Sequence, residues 1–85
     1  MDKYELFSRV GEFFLSDRLL QNNPDAVMAL MGKMIVVRCE HDFARQGFLY
    51  TAYSELFEKT VQGLVIPRYD IVIEDGQIKV VDADA

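Results

Sequence analysis

The sequence predicts an α+β domain in which two N-terminal helices pack on one face of a four-stranded antiparallel sheet. Three observations support this fold class. Apolar residues recur at helical spacing as far as Gln21, β-branched and aromatic residues dominate from Lys33 onward, and the turn dipeptide Asp75-Gly76 separates the last two apolar runs. Eighty-five residues make one domain, 1–85, in which residues 83–85 are predicted to be a frayed acidic tail.

The two predicted helices are separated by Asn22-Asn23. The first is predicted from Asp2 to Gln21, where a broad apolar stripe includes Leu6, Phe7, Val10, Phe13, Phe14 and Leu20. Gly11 lies inside this stripe and predicts the close approach of a neighbouring element. The second helix is predicted from Pro24 to about Met31, with Gly32 ending it in a left-handed conformation.

The next segment predicts a hairpin. Lys33 to Phe43 is rich in β-branched residues, Ala44 to Gly47 resembles a turn, and the second strand extends from Phe48 to Tyr53. A third helix over Phe48 to Lys59 is the competing interpretation, because apolar residues also recur there at helical spacing. We prefer a strand on propensity, followed by a single helical turn near Ser54 to Phe57.

The last two predicted strands form a second hairpin. After a loop around Gln62-Gly63, Arg68 to Glu74 alternates apolar and polar residues. Asp75-Gly76 then predicts a two-residue turn of the primed type, which leads into Gln77 to Val81.

Cys39 and His41 are the only thiol and the only imidazole in the chain. One intervening residue places both on the same face of a strand, with Cα atoms about 6 to 7 Å apart. A thiolate activated by histidine needs closer contact and usually a third, orienting group. We therefore predict that Cys39 is a buried apolar residue beside Ile35 and Val37, and that His41 is exposed or paired with a carboxylate.

The composition argues against several other functions. The chain has no glycine-rich phosphate loop, nucleophile elbow or set of zinc ligands, so the sequence predicts no catalytic residues, no metal and no cofactor. The net charge is −5, and the residues after Tyr69 carry five acids against one base. This balance argues against direct binding of nucleic acid, since such binding depends on Lys and Arg.

The expected compartment is the cytoplasm. The first residues include acids and no apolar signal region follows them, no apolar run is long enough to cross a membrane, and a lone thiol fits a reducing environment.

The first predicted hairpin carries apolar groups on both faces, whereas two short helices can cover only one. The second face therefore predicts a protein partner, with a homodimer as the commonest arrangement. The residues predicted to bind this partner are apolar groups of the second face and carboxylates of the acidic segment: Val36, Leu49, Tyr53, Asp70, Val72, Glu74, Asp75 and Asp82.

Three function hypotheses follow. The first is a non-enzymatic interaction module that occupies a partner's surface, including an acidic inhibitor of a basic nucleic-acid-binding protein that imitates nucleic acid. The second is a small-molecule-binding or catalytic domain with a pocket between helices and sheet, lined by Cys39, His41 and Tyr50. The third is a structural or regulatory subunit of a larger assembly.

Overall fold

The computed structural model describes residues 3–60 and 65–83. In chain order the elements are α1 (Lys3–Phe7), β1 (Val10–Ser16), α2 (Asp17–Asn22), α3 (Pro24–Met31), β2 (Met34–Asp42), β3 (Gly47–Ser54), β4 (Arg68–Glu74) and β5 (Gln77–Asp82). The strands form one five-stranded sheet in the order β2-β3-β1-β4-β5. Neighbouring strands are antiparallel except β1 and β4, which are parallel.

The predicted four-stranded antiparallel sheet is therefore wrong, and so is the long first helix. The segment from Val10 to Ser16 is a central strand whose burial alternates, with Gly11, Phe13 and Leu15 on the buried side. Within the described part of the predicted first helix only α1, before this strand, and α2, after it, are helical, and α2 begins after Ser16, whose Oγ accepts a hydrogen bond from the Leu19 N–H at 3.1 Å. Apolar residues on both faces of this strand produce spacing that also fits a helix, which explains the wrong prediction.

Gly11 does lie where another element approaches closely, although in a strand. A Cβ at this position would lie 2.8 Å from a Tyr69 ring carbon and 2.9 Å from the Phe57 ring. These two rings stack with centroids 4.7 Å apart. The absence of a side chain at Gly11 thus lets two aromatic residues pack onto the central strand.

The core lies between the sheet and the pair α2 and α3. The sheet side that these helices cover is called the helix face here, and the opposite side is the outer face. The core cluster consists of Phe13, Leu15, Val27, Ala52, Phe57 and Tyr69. Leu19, Leu20 and Met31 of the two helices pack against it.

The segment after β3 is a hydrogen-bonded turn rather than the predicted helical turn. Its Phe57 N–H donates to the Ser54 carbonyl at 3.2 Å, and the buried Ser54 hydroxyl donates to the Lys33 carbonyl at 2.8 Å. Arg9 donates to the Phe57 carbonyl at 2.8 Å, and the Glu58 N–H donates to the Tyr69 hydroxyl at 3.1 Å. These bonds hold Phe57 in the core, where it is 1% exposed.

Several local predictions are confirmed. The second predicted helix is α3, the Lys33 to Phe43 run contains β2, and the segment after Gly47 is a strand rather than a third helix. Asp75 and Gly76 both have positive φ, 53° and 77°, as the primed turn requires. Gly32 instead has a right-handed φ of −65°, so its predicted left-handed conformation is wrong.

Two predicted features lie wholly or partly outside the described residues. They are the loop around Gln62-Gly63 and the tail 83–85, of which only Ala83 is described. The Ala83 N–H donates to the Arg68 carbonyl at 3.2 Å.

Candidate functional site: the β2 edge

Strand β2 forms one edge of the sheet and is exposed along most of its length. Every residue from Ile35 to His41 is exposed, and no other strand of the described residues has an exposed run of this length. Ile35, Val36 and Val37 are 48%, 41% and 53% exposed. An edge strand presents unpaired backbone groups on its free side, and here three successive branched apolar side chains accompany them.

A β-bulge at Val37 changes which side each β2 residue faces. Ile35 pairs with Tyr53 and Val36 with Ala52, but Arg38 then pairs with Thr51, so one residue is extra. Ile35, Arg38 and Glu40 consequently lie on the outer face, where the Arg38 and Glu40 side chains form an ion pair. Val36, Cys39 and His41 lie on the helix face.

The bulge also overturns the predicted environment of Cys39. The thiol is exposed rather than buried, and it lies on the face opposite to Ile35 because the extra residue shifts the alternation. The helices cover the middle of the sheet and leave this end of the helix face open. Cys39 pairs instead with Tyr50 of β3.

His41 is exposed, as predicted, and its closest ring contacts are aromatic. Its ring centroid lies 4.2 Å from that of Phe43 and 4.8 Å from that of Phe48, both in edge-on geometry. Phe43 is 84% exposed. The helix face of the β2 edge therefore ends in an aromatic patch formed by His41, Phe43 and Phe48, a packing arrangement rather than a thiol-imidazole pair.

Tyr50 borders this patch and has a perturbed acidity. Partial burial raises the pKa of its hydroxyl above 10.0, and the charge and hydrogen bond of Cys39 add to the rise. Because the folded state holds this proton more tightly than the unfolded state, the associated stability is present below about pH 10 and is lost as the pH rises through the folded pKa.

We expect Tyr50→Phe to reduce the loss of stability in alkali. Urea denaturation at about pH 9 and pH 11 should show a smaller fall in unfolding free energy for the variant than for the unchanged protein. An equal fall in both proteins would contradict the raised pKa of Tyr50.

A groove between helix and sheet exists, but in a different place from the predicted pocket. It has a volume of about 550 Å³ and lies between α3 and β5, where Ala26, Leu30, Ile78 and Val80 line it. None of Cys39, His41 and Tyr50 contributes to this lining. The structure therefore does not join the sole thiol and imidazole to the groove.

The predicted apolar partner residues do not form one surface. Leu49, Tyr53 and Val72 lie on the outer face, but Val36 lies on the helix face. Tyr53 is partly covered by Phe7 of α1, with ring centroids 5.2 Å apart. Charged side chains also occupy the outer face, where Arg68 donates to a Glu12 carboxylate oxygen at 2.9 Å.

The four predicted acidic partner residues are dispersed over the second hairpin. Asp70 and Glu74 lie on the outer face of β4, Asp75 is in the turn, and Asp82 lies opposite Tyr69 in β5. Glu74 forms an ion pair with Lys79 at 3.2 Å. These four carboxylates therefore occupy three separate places.

Within residues 3–60 and 65–83, no three His, Cys, Asp or Glu side chains come together as a metal site would require. No helix in the same residues is long and apolar enough to cross a membrane.

Sequence reasoning missed Ile35, Val37 and Phe43 as exposed apolar residues of the site. A signal was present in the polar residues from Arg38 to Asp42, whose run is interrupted only by Cys39. A strand with several charged side chains is typical of a sheet edge. The bulge itself has no sequence marker here, since neither Gly nor Pro occurs near Val37.

Comparison of the chain with protein-family models, with curated proteins and with solved structures finds no match.

Proposed function

We propose that this protein is a non-enzymatic interaction module that binds a protein partner along the β2 edge. The observation that carries the proposal is the exposed apolar run Ile35 to Val37 on an edge strand. A partner strand added at this edge satisfies the free backbone groups and buries the apolar side chains in one step. The dispersed carboxylates of β4 and β5 favour this mode over imitation of nucleic acid.

The module is proposed to work in the cytoplasm. Cys39 is an exposed lone thiol, and such a group remains reduced in a reducing compartment.

The proposal is tested with a charged substitution on each sheet edge. Val37→Lys places a charge in the β2 edge, and Val81→Lys is the matched control on β5, where Val81 is also exposed. Burying a valine stabilises a complex by about 1.5 to 3 kcal/mol, so Val37→Lys should weaken binding at least tenfold.

The measurement is made in two steps. Proteins retained from host cells by the unchanged chain are identified, and the affinity of each purified partner, including a second copy of the chain, is then measured by calorimetry with both variants. Equal binding by Val37→Lys and the unchanged chain, or equal weakening by Val81→Lys, would contradict the proposed function.

A further inference from the structure

Resting on the proposed function of the β2 edge, we infer that its partner is a second copy of this chain. The two β2 strands pair antiparallel about a two-fold axis that passes between the two Cys39 residues. The inference adds to the proposed function both the identity of the partner and the register of pairing. The evidence for it is the order of the charged residues along β2 and the side of the sheet on which each of them lies.

Among the registers centred on residues 38 to 41, only the one centred on Cys39 places no charged residue of β2 opposite a like charge. A two-fold axis at residue 38 places Arg38 opposite its own copy. An axis at residue 40 brings Arg38 opposite Asp42 of the copy, but it also places Glu40 opposite its own copy. An axis at His41 places Glu40 opposite Asp42. With the axis at Cys39, Arg38 lies opposite Glu40 of the copy, and the same pair forms twice.

The positions of Arg38 and Glu40 on the sheet are consistent with the register centred on Cys39. A two-fold axis perpendicular to the sheet keeps the outer faces of both copies on one side, and Arg38 and Glu40 both lie on the outer face. These two side chains already pair within one chain, so both reach across this surface. In the dimer the same groups can also pair between the chains.

Apolar groups meet on the other side of the joined sheet. Val37 is the extra residue of the bulge, so the residue on the helix face that lies beside His41 of one copy is Val36 of the other. His41 lies in the aromatic patch with Phe43, which is the most exposed aromatic residue of the described chain. Pairing thus removes this exposed apolar edge from water.

Charge reversal tests the register. Arg38→Glu places like negative charges opposite each other in the homodimer, and Glu40→Arg does the same with positive charges. We expect sedimentation equilibrium, from about 1 to 500 μM, to show a dimer for the unchanged chain and at least tenfold weaker association for each variant. An equimolar mixture of the two variants should regain the dimer, because each then faces the opposite charge.

Cys39 provides an independent measurement. Opposed residues in an antiparallel pair have Cα atoms about 4.5 to 5.5 Å apart, which is within the range of a disulfide. Diamide, which accepts the two electrons and two protons of the thiols, should cross-link the unchanged chain rapidly. The cross-link should form at least tenfold more slowly in Arg38→Glu and in protein unfolded by urea.

Several outcomes would overturn the inference. They are a monomer throughout the concentration range, a dimer that both charge variants retain, or a mixture of variants that remains monomeric. A monomer that still binds another protein through β2, with that binding lost in Val37→Lys, would overturn the homodimer and leave the proposed function standing.

Discussion

Replacing Phe57 with alanine is expected to lower the free energy of unfolding by about 3 to 5 kcal/mol. The ring is almost fully buried, stacks on Tyr69 and lies 6.1 Å from the Phe13 ring centroid. Its backbone is held by Arg9 and Ser54, so the surrounding chain cannot move freely to fill the cavity. A domain of this length has a total stability of about 4 to 13 kcal/mol, and the loss is therefore a large part of it.

Urea denaturation followed by circular dichroism measures this change. Phe43→Ala is the matched control, since the same side chain is removed from an exposed position and the expected change is within about 0.5 kcal/mol. Both are measured at low protein concentration, so that self-association does not contribute. A loss below about 1 kcal/mol in Phe57→Ala would contradict its place in the core.

Replacing Gly47 with alanine is expected to cost about 3 kcal/mol, the upper part of the range for overpacked sites. Gly47 begins β3 and pairs with Ser16 on one side and Asp42 on the other. An added Cβ would collide with the Leu15 carbonyl oxygen and the Phe14 ring. The carbonyl belongs to the central strand and cannot withdraw without breaking the pairing of β1 and β3.

Gly32→Ala is the control for this substitution. Its added Cβ would lie 3.4 Å from the nearest atom, the Met28 carbonyl oxygen, and its backbone is right-handed, so the expected effect is neutral or stabilising by up to about 1 kcal/mol. Thermal or urea unfolding of both variants decides the comparison. Equal stability of the two would contradict the close packing at Gly47.

The second hairpin shows where local sequence is sufficient. Arg68 to Glu74 alternates apolar and polar residues, and Asp75-Gly76 allows the positive φ values of a primed turn. Both signals lie within about fifteen residues and agree with each other. The pairing of β4 with β5 was therefore predictable before any contact with the rest of the chain was known.

The β1 segment shows where local sequence is ambiguous. Apolar residues at Val10, Phe13 and Phe14 fit a helical stripe, and the alternation of Gly11, Phe13 and Leu15 fits a strand. Its neighbours in the sheet, β3 and β4, follow more than thirty residues later in the chain. β1 pairs with β3 along its whole length and with β4 at Glu12 and Phe13, and these long-range backbone hydrogen bonds favour the strand over the helix.

In the candidate site, too, some features follow from the local sequence and others from the tertiary structure. The charges of Arg38 and Glu40 and the apolar run before them are properties of the sequence, and they define the chemistry of the β2 edge. The opposite faces of Ile35 and Cys39 depend on the bulge at Val37, and the exposure of Cys39 depends on the position of β2 at the edge of the sheet.

The sequence thus establishes the acidic charge, the α3 helix, the strand segments after Lys33 and the final hairpin, because each depends on neighbouring residues. The central position of β1, its parallel pairing with β4, and the position of β2 at the edge arise from contacts between distant segments. Such contacts depend on which arrangement buries the most apolar surface and pairs the most backbone groups over the whole chain. No short stretch of sequence determines these long-range contacts, and for this reason the proposed interaction surface can be identified only in the folded protein.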